Sequence, residues 1–212
     1  MNTRRAASAA LLLALAAGAL GAQGFEGAIT IRMAGGSGAP SQEMEYLTRG
    51  GNVRVTINSP AGSMAILGLK AESKTYMLME AQRMYMEVSP ETMSAALSNA
   101  EAPKVTKTGR KETIAGESCE HVIIETTGTT GPQKADVCMA YAFGAFVNPM
   151  ANMARMTAWQ RQMVKEGGFP LRVTLADGSI PIEVTKIEKK RVNDTLFRIP
   201  ADFSKMDMPR RP

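Results

Sequence analysis

Cys119, His121 and Cys138 are the residues of this 212-residue chain whose types and spacing could do chemistry. They are its two cysteines and its one histidine, gathered in the stretch 116–138, GESCEHVIIETTGTTGPQKADVC. Three chemistries are open to them. Two thiolates and an imidazole would supply three of the four donors that zinc takes, but the spacing follows no common zinc motif. A thiol two residues from a histidine, on the same side of a strand, has the outline of a nucleophile and its base, provided that the thiol is free. A disulfide would remove that freedom, and an even cysteine pair in an exported protein is most simply a disulfide. GESCE is a poor nucleophile elbow, because Glu120 stands where the second glycine belongs.

These residues must be positioned by a hairpin. If Cys119 and Cys138 face each other directly, the turn falls in TTGTT (126–130). His121 then opposes Asp136, and Ile123 opposes Lys134, on the cysteine face. The other face carries Val122 opposite Ala135 and Glu120 opposite Val137, with Ile124 beside them. One polar and one apolar face is what a half-buried hairpin requires. The expected outcome is a Cys119–Cys138 disulfide on the more polar face, contributing about 3 kcal/mol, with His121 in a solvated ion pair with Asp136. No catalytic residue follows from this, and no motif asks for a cofactor.

The first residues read as a secretory leader: Arg4 and Arg5, an apolar run AASAALLLALAAGAL, then the small residues GAQG. The expected cut lies near Gly24, with no cysteine there to carry a lipid. The run is shorter than the ~20 residues of a bilayer span, so an exported, periplasmic or secreted protein without a transmembrane anchor is expected. Loss of Arg4 and Arg5 takes the formal charge from +5 to +3. The remaining charge is scattered and aromatics are 5% of the chain, which excludes the basic stripe with stacking rings of a nucleic-acid reader.

From Phe25 onward, strand patterns dominate. FEGAITIRM alternates with period 2. The glycine-rich GGSGAPSQ (35–42) lacks the ending of a phosphate loop. Gly50-Gly51-Asn52 marks a hairpin, and a second turns near Ala81-Gln82. Two helices are expected. One follows Ser89-Pro90 in SPETMSAALSNA, and the other follows Asn148-Pro149 in NPMANMARMTAWQRQMVKEGG. The second places Met153, Met156, Trp159, Met163 and Val164 on one apolar half. Two strands, FPLRVTLAD and IPIEVTKIEKKR, meet at Asp177-Gly178. The expected class is α+β: one strongly curved antiparallel sheet, a half-barrel, with two helices packed on its concave side. Residues 1–24 are the leader, 25–203 the single domain and 204–212 a flexible basic tail.

The sequence is rich in methionine, 16 residues. MLM (77–79) and MYM (84–86) lie on the two arms of one hairpin. Methionine is a pliable apolar residue suited to cores and adaptable grooves. Its thioether is also a soft donor for Cu(I), which makes Met77, Met79, Met84 and Met86 an alternative metal site.

The order of these segments resembles an exported bacterial family known as a domain of unknown function. The resemblance rests on Phe25 and Gly27; on Gly50, Arg54 and Val55; on Tyr76 and Tyr85; and on Ile114, Gly116 and Cys119. It extends over most of residues 25–200, and its motifs are structural. It implies kinship with the LolA/LolB-like carriers, whose curved sheets hold lipid acyl chains. The expectation is a non-enzymatic protein binding a lipid or another apolar small molecule, with Met153, Met156, Trp159, Met163, Val122 and Ile124 lining the cavity. The alternatives are a Cu(I)-binding protein and an envelope module that interacts with a protein partner and holds no ligand.

Overall fold

The computed structural model describes residues 25–35, 40–59, 62–88, 104–128, 131–143 and 168–206. Period-2 alternation becomes strands, and within each of two runs every strand pairs with the next. The first meander runs through β1 (Gly27–Met33), β2 (Gln42–Arg49), β3 (Asn52–Ser59), β4 (Gly62–Leu69), β5 (Lys74–Met79) and β6 (Met84–Val88). Gly50 and Gly51 join β2 to β3 with φ of +60° and +84°. That is the left-handed pair a two-residue hairpin needs, and it costs glycine no steric strain. The second meander is β7 (Lys104–Ile114), β8 (Glu117–Gly128), β9 (Gly131–Ala140), β10 (Phe169–Leu175) and β11 (Ile182–Lys189). A 3-10 turn, Asp194–Phe197, and the short β12 (Ser204–Lys205) complete the chain's described elements.

β1 pairs with β2 on one side and with β11 on the other. This single long-range ladder fuses the two meanders into one twelve-stranded sheet, ordered β12-β6-β5-β4-β3-β2-β1-β11-β10-β9-β8-β7. Every pairing is antiparallel except that of β12 with β6. The sheet is open, with β7 at one edge and β12 at the other. Edge strand β7 carries Lys104, Lys107, Arg110 and Lys111, charges that discourage pairing with another chain.

The expected α+β half-barrel is therefore corrected. Among the described residues the fold is all β, one open sheet with a lone 3-10 turn and no α-helix. The class is set by what the strands pair with, which local cap signals do not express. The two stretches expected as helices, 89–100 and 148–167, lie outside the described residues.

The two faces are buried differently. One carries the larger core, with Ile29, Ile31, Tyr46, Val55, Val122, Ile124, Val137, Phe169, Leu171 and Val173 among its members. On the other, over β1–β5, the C-terminal strap packs Val192 and Phe197 onto Ala28, Leu47, Leu67, Tyr76 and Leu78. Arg54 holds the strap by donating to the Leu196 carbonyl, at 3.2 Å. The Val192 amide donates to Glu26, at 2.8 Å.

Candidate functional site

The cysteines settle the first question. Cys119 and Cys138 are joined as a disulfide, with Cα atoms 5.3 Å apart, and no cysteine is free. The hairpin register differs from direct opposition of the two. His121 stands opposite Cys138, Val122 opposite Val137 and Ile124 opposite Ala135, and Gly128 pairs with Gly131 at the turn. The disulfide is thus diagonal. The displacement spans two positions, and a two-residue change leaves every side chain on its original face. Val122 and Ile124 accordingly lie in the core, 3% and 1% exposed.

The cysteine face is not solvated at its centre. Cys119 and Cys138 are 3% and 1% exposed, beneath a ladder of charged side chains drawn from six strands. Glu112 on β7 accepts from Arg172 on β10 at 2.6 Å, and its other oxygen lies 3.2 Å from His121 Nε2. His121 Nδ1 lies 2.7 Å from Asp136 Oδ1, and Arg110 donates to the other Asp136 oxygen. Arg172 also donates to Glu183 at 3.0 Å, and Glu183 accepts from Arg32. Burial opposes the charge on Arg172, but the hydrogen bonds to Glu112 and Glu183 outweigh it and raise the guanidinium above its ordinary value. His121 and Asp136 are partners as expected, across a diagonal, and the histidine side chain is only 13% exposed.

This cluster is poorly placed for catalysis or zinc. Glu112, His121 and Cys138 bring possible ligand atoms within 4.8 Å of one another. The Cys138 sulfur is bonded to Cys119, however, so it is no thiolate. Arg110 and Arg172 already neutralise the carboxylates. Both His121 nitrogens have carboxylate partners, which leaves neither facing a nucleophile. A second polar feature, a cleft of about 370 Å³ lined by Arg49, Arg191, Val192, Asn193 and Asp194, is similar. Arg49 there is engaged by Glu26, Asp194 and the Val192 carbonyl.

The opposite, apolar face holds the more distinctive arrangement. Met64 on β4 stands opposite Met79 on β5, which stands opposite Met84 on β6. One pleat along, Ile66 stands opposite Met77, and Met77 opposite Met86. Five methionines thus form two rows across three adjacent strands, all partly buried. Directly opposed Cα atoms lie about 4.5–5.5 Å apart, so neighbouring thioethers are within mutual reach. Sequence pairing identified four of the five; Met64 is brought in by the β4–β5 ladder. Towards the middle of the sheet the face continues through Met64 into the main core. The edge-on rings of Tyr46, Phe169, Phe143 and Phe25 follow, with successive centroids 5.1, 5.6 and 4.7 Å apart. Met153, Met156, Trp159 and Met163 lie outside the described residues.

The family described as Domain of unknown function (DUF4412) matches residues 25–203. The chain belongs to this family. No curated protein matches the sequence. Among solved structures the chain is similar to an uncharacterized conserved protein from Thermus thermophilus. The two share 9% identity and a TM-score of 0.46 over 84% of this chain and 88% of that one.

In this DUF4412 domain the residues behind the resemblance all have structural posts. A Cβ on Gly27 would sit 2.1 Å from the Glu188 carbonyl oxygen and 2.8 Å from the Phe25 ring, so only glycine lets that ring lie down. Gly50 makes its turn, Arg54 ties Glu80 and the strap, and Val55 is fully buried. Tyr76 and Tyr85 meet edge-on at 6.0 Å. Ile114 is in the core, Gly116 turns β7 into β8 at a φ of +84°, and Cys119 enters the disulfide. Sequence reasoning missed Arg110, Glu112, Arg172 and Glu183, because nothing local says that side chains from different strands will meet. The one hint was Arg172 interrupting the apolar FPLRV.

Proposed function

We propose that this DUF4412 domain is an exported, non-enzymatic binding protein that takes a lipid or another apolar molecule on the methionine-bearing face of β4–β6. The observation that carries this reading is the double row of partly buried methionines, Met64–Met79–Met84 and Met77–Met86, continuous with the main core. No charged side chain stands on that face of the three strands; Gly62, Ile66, Gly68, Thr75 and Val88 complete it. Unbranched, polarizable side chains adapt to an acyl chain of varied shape. Export is supported by the disulfide, which persists in oxidising compartments. A non-catalytic role is supported by the tied sulfurs and the twice-bonded His121. Kinship with LolA/LolB-like carriers is part of the proposal and concerns the class of ligand alone.

The test is native mass spectrometry and lipid extraction of protein recovered from the exported fraction. Displacement of a fluorescent fatty acid then gives the affinity. An apolar adduct is expected, with binding weakened on the order of tenfold in Met77→Gln/Met84→Gln, because burying an amide without a partner costs over 1 kcal/mol. Absence of any adduct, or equal affinity in the double variant, would end the proposal.

A further inference from the structure

We infer that Met64, Met79 and Met84, backed by Met77 and Met86, form a thioether site for a soft monovalent cation, Cu(I). Three features point there together. The first is register: Met64, Met79 and Met84 are consecutive cross-strand partners on β4, β5 and β6. Three sulfurs on flexible stems, the middle one about 5 Å from each neighbour and the outer two about 10 Å apart, can turn towards one point over Met79. The second is redundancy. Met77 and Met86 oppose each other one pleat away, so an ion passing from the first row meets two more donors without leaving the face.

The third is charge. Every donor is neutral, and the neighbouring side chains of that face are Ile66, Thr75 and Val88. Burying a divalent ion among neutral, weakly polar groups would leave two charges uncompensated, whereas a single positive charge on a soft ion matches soft sulfur. The acidic residues of this hairpin are directed elsewhere: Glu87 alternates onto the opposite face and pairs with Lys74, and Glu80 in the turn pairs with Arg54. Zinc, magnesium and calcium, which want thiolate, imidazole or oxygen donors, have nothing to bind here. The His121 cluster lies on the other face of the sheet and contributes no donor.

The site does not rest on the apolar-ligand reading, because Cu(I) is titrated with no lipid present. Leucine keeps the volume and apolarity of methionine, at a cost usually below about 1.5 kcal/mol, while it removes the sulfur. Met79→Leu, at the centre of the longer row, is therefore expected to keep the fold, read from its circular dichroism and urea midpoint, and to lose Cu(I). Cu(I) is held reduced by ascorbate and competed with bicinchoninate, using the oxidised full-length protein; Ag(I) serves as a redox-inert second probe. The wild type is expected to withdraw one Cu(I) from the chelator, with all-sulfur coordination in X-ray absorption. Met79→Leu should bind at least tenfold more weakly, and Met33→Leu, on the same face of β1, should match the wild type. Met84→Leu is read in the same way should Met79→Leu fail to fold. No withdrawal of Cu(I) by the wild type would overturn the site. So would nitrogen or oxygen ligands in the spectrum, or wild-type affinity in the folded Met79→Leu or Met84→Leu protein.

Discussion

Glu112 and Arg172 are joined at 2.6 Å although β8 and β9, the strands that carry the disulfide, lie between their own. The pair spans the Cys119–Cys138 bond like a strut. That explains how two cysteines on the polar side of a hairpin come to be almost wholly buried. The carboxylate of Glu112 serves both Arg172 and His121, so strut and histidine share one anchor.

Removing the strut should open the disulfide. In Arg172→Met, reduction by dithiothreitol is expected to be several-fold faster than in the wild type, since exchange depends on access to the sulfur. The side chains are 28% and 35% exposed, so solvent screening limits the stability loss to about 1 kcal/mol. Acid quenching at timed intervals, alkylation of the free thiols and mass spectrometry check the rate, and an unchanged rate would show that the strut does not shield the bond.

The disulfide itself should matter more. Its cysteines are 19 residues apart in sequence, and a loop of that length contributes about 3 kcal/mol by constraining the unfolded chain. Cys119→Ala/Cys138→Ala is expected to lower the unfolding free energy by that amount, read as a lower urea midpoint. A midpoint equal to that of the oxidised wild type would contradict it.

Tyr76 makes stability fall in alkali. Burial, and then its hydrogen bond to Glu72 at 3.0 Å, raise its phenol above the ordinary value. A folded pKa above the unfolded one, about 10, means that the contribution is full below pH ~10. It is lost as pH rises through the folded value. Tyr76→Phe keeps the ring against Tyr85 and removes the titration. Urea unfolding at pH 8 and at about pH 11 should therefore show a smaller loss in the variant than in the wild type. Equal losses would refute the assignment.

The C-terminal strap should detach from its buried ring. Phe197 is 5% exposed in the second core, and Phe→Ala in such a setting costs about 3–5 kcal/mol. Ser204 and Met206 donate their amides to Arg83 and Tyr85, so these bonds follow the strap. Hydrogen exchange in Phe197→Ala is expected to accelerate at both amides by more than tenfold, while Val55 and Tyr46 in the main core stay protected. Uniform acceleration would instead mean that strap and sheet unfold as one unit.

By itself the sequence determined the strands, their turns and the face each side chain takes. Side-chain direction alternates with period 2 whatever a strand's neighbours are, so Val122 and Ile124 could be placed on the apolar face of their hairpin, and MLM and MYM on the two arms of another. Gly50-Gly51 marked its hairpin for a local reason too, since both residues need positive φ. Only the tertiary structure decided what pairs with what. The β1–β11 ladder joins segments some 150 residues apart, and backbone hydrogen bonds carry no side-chain code to announce it. The same holds for the diagonal register of Cys119 and Cys138, the arrival of Met64 beside Met79, and the Glu112–Arg172 strut. The α+β expectation failed at this boundary. It rested on local caps and periodicity, whereas one continuous open sheet arises from pairing between distant strands, which no stretch of sequence expresses alone.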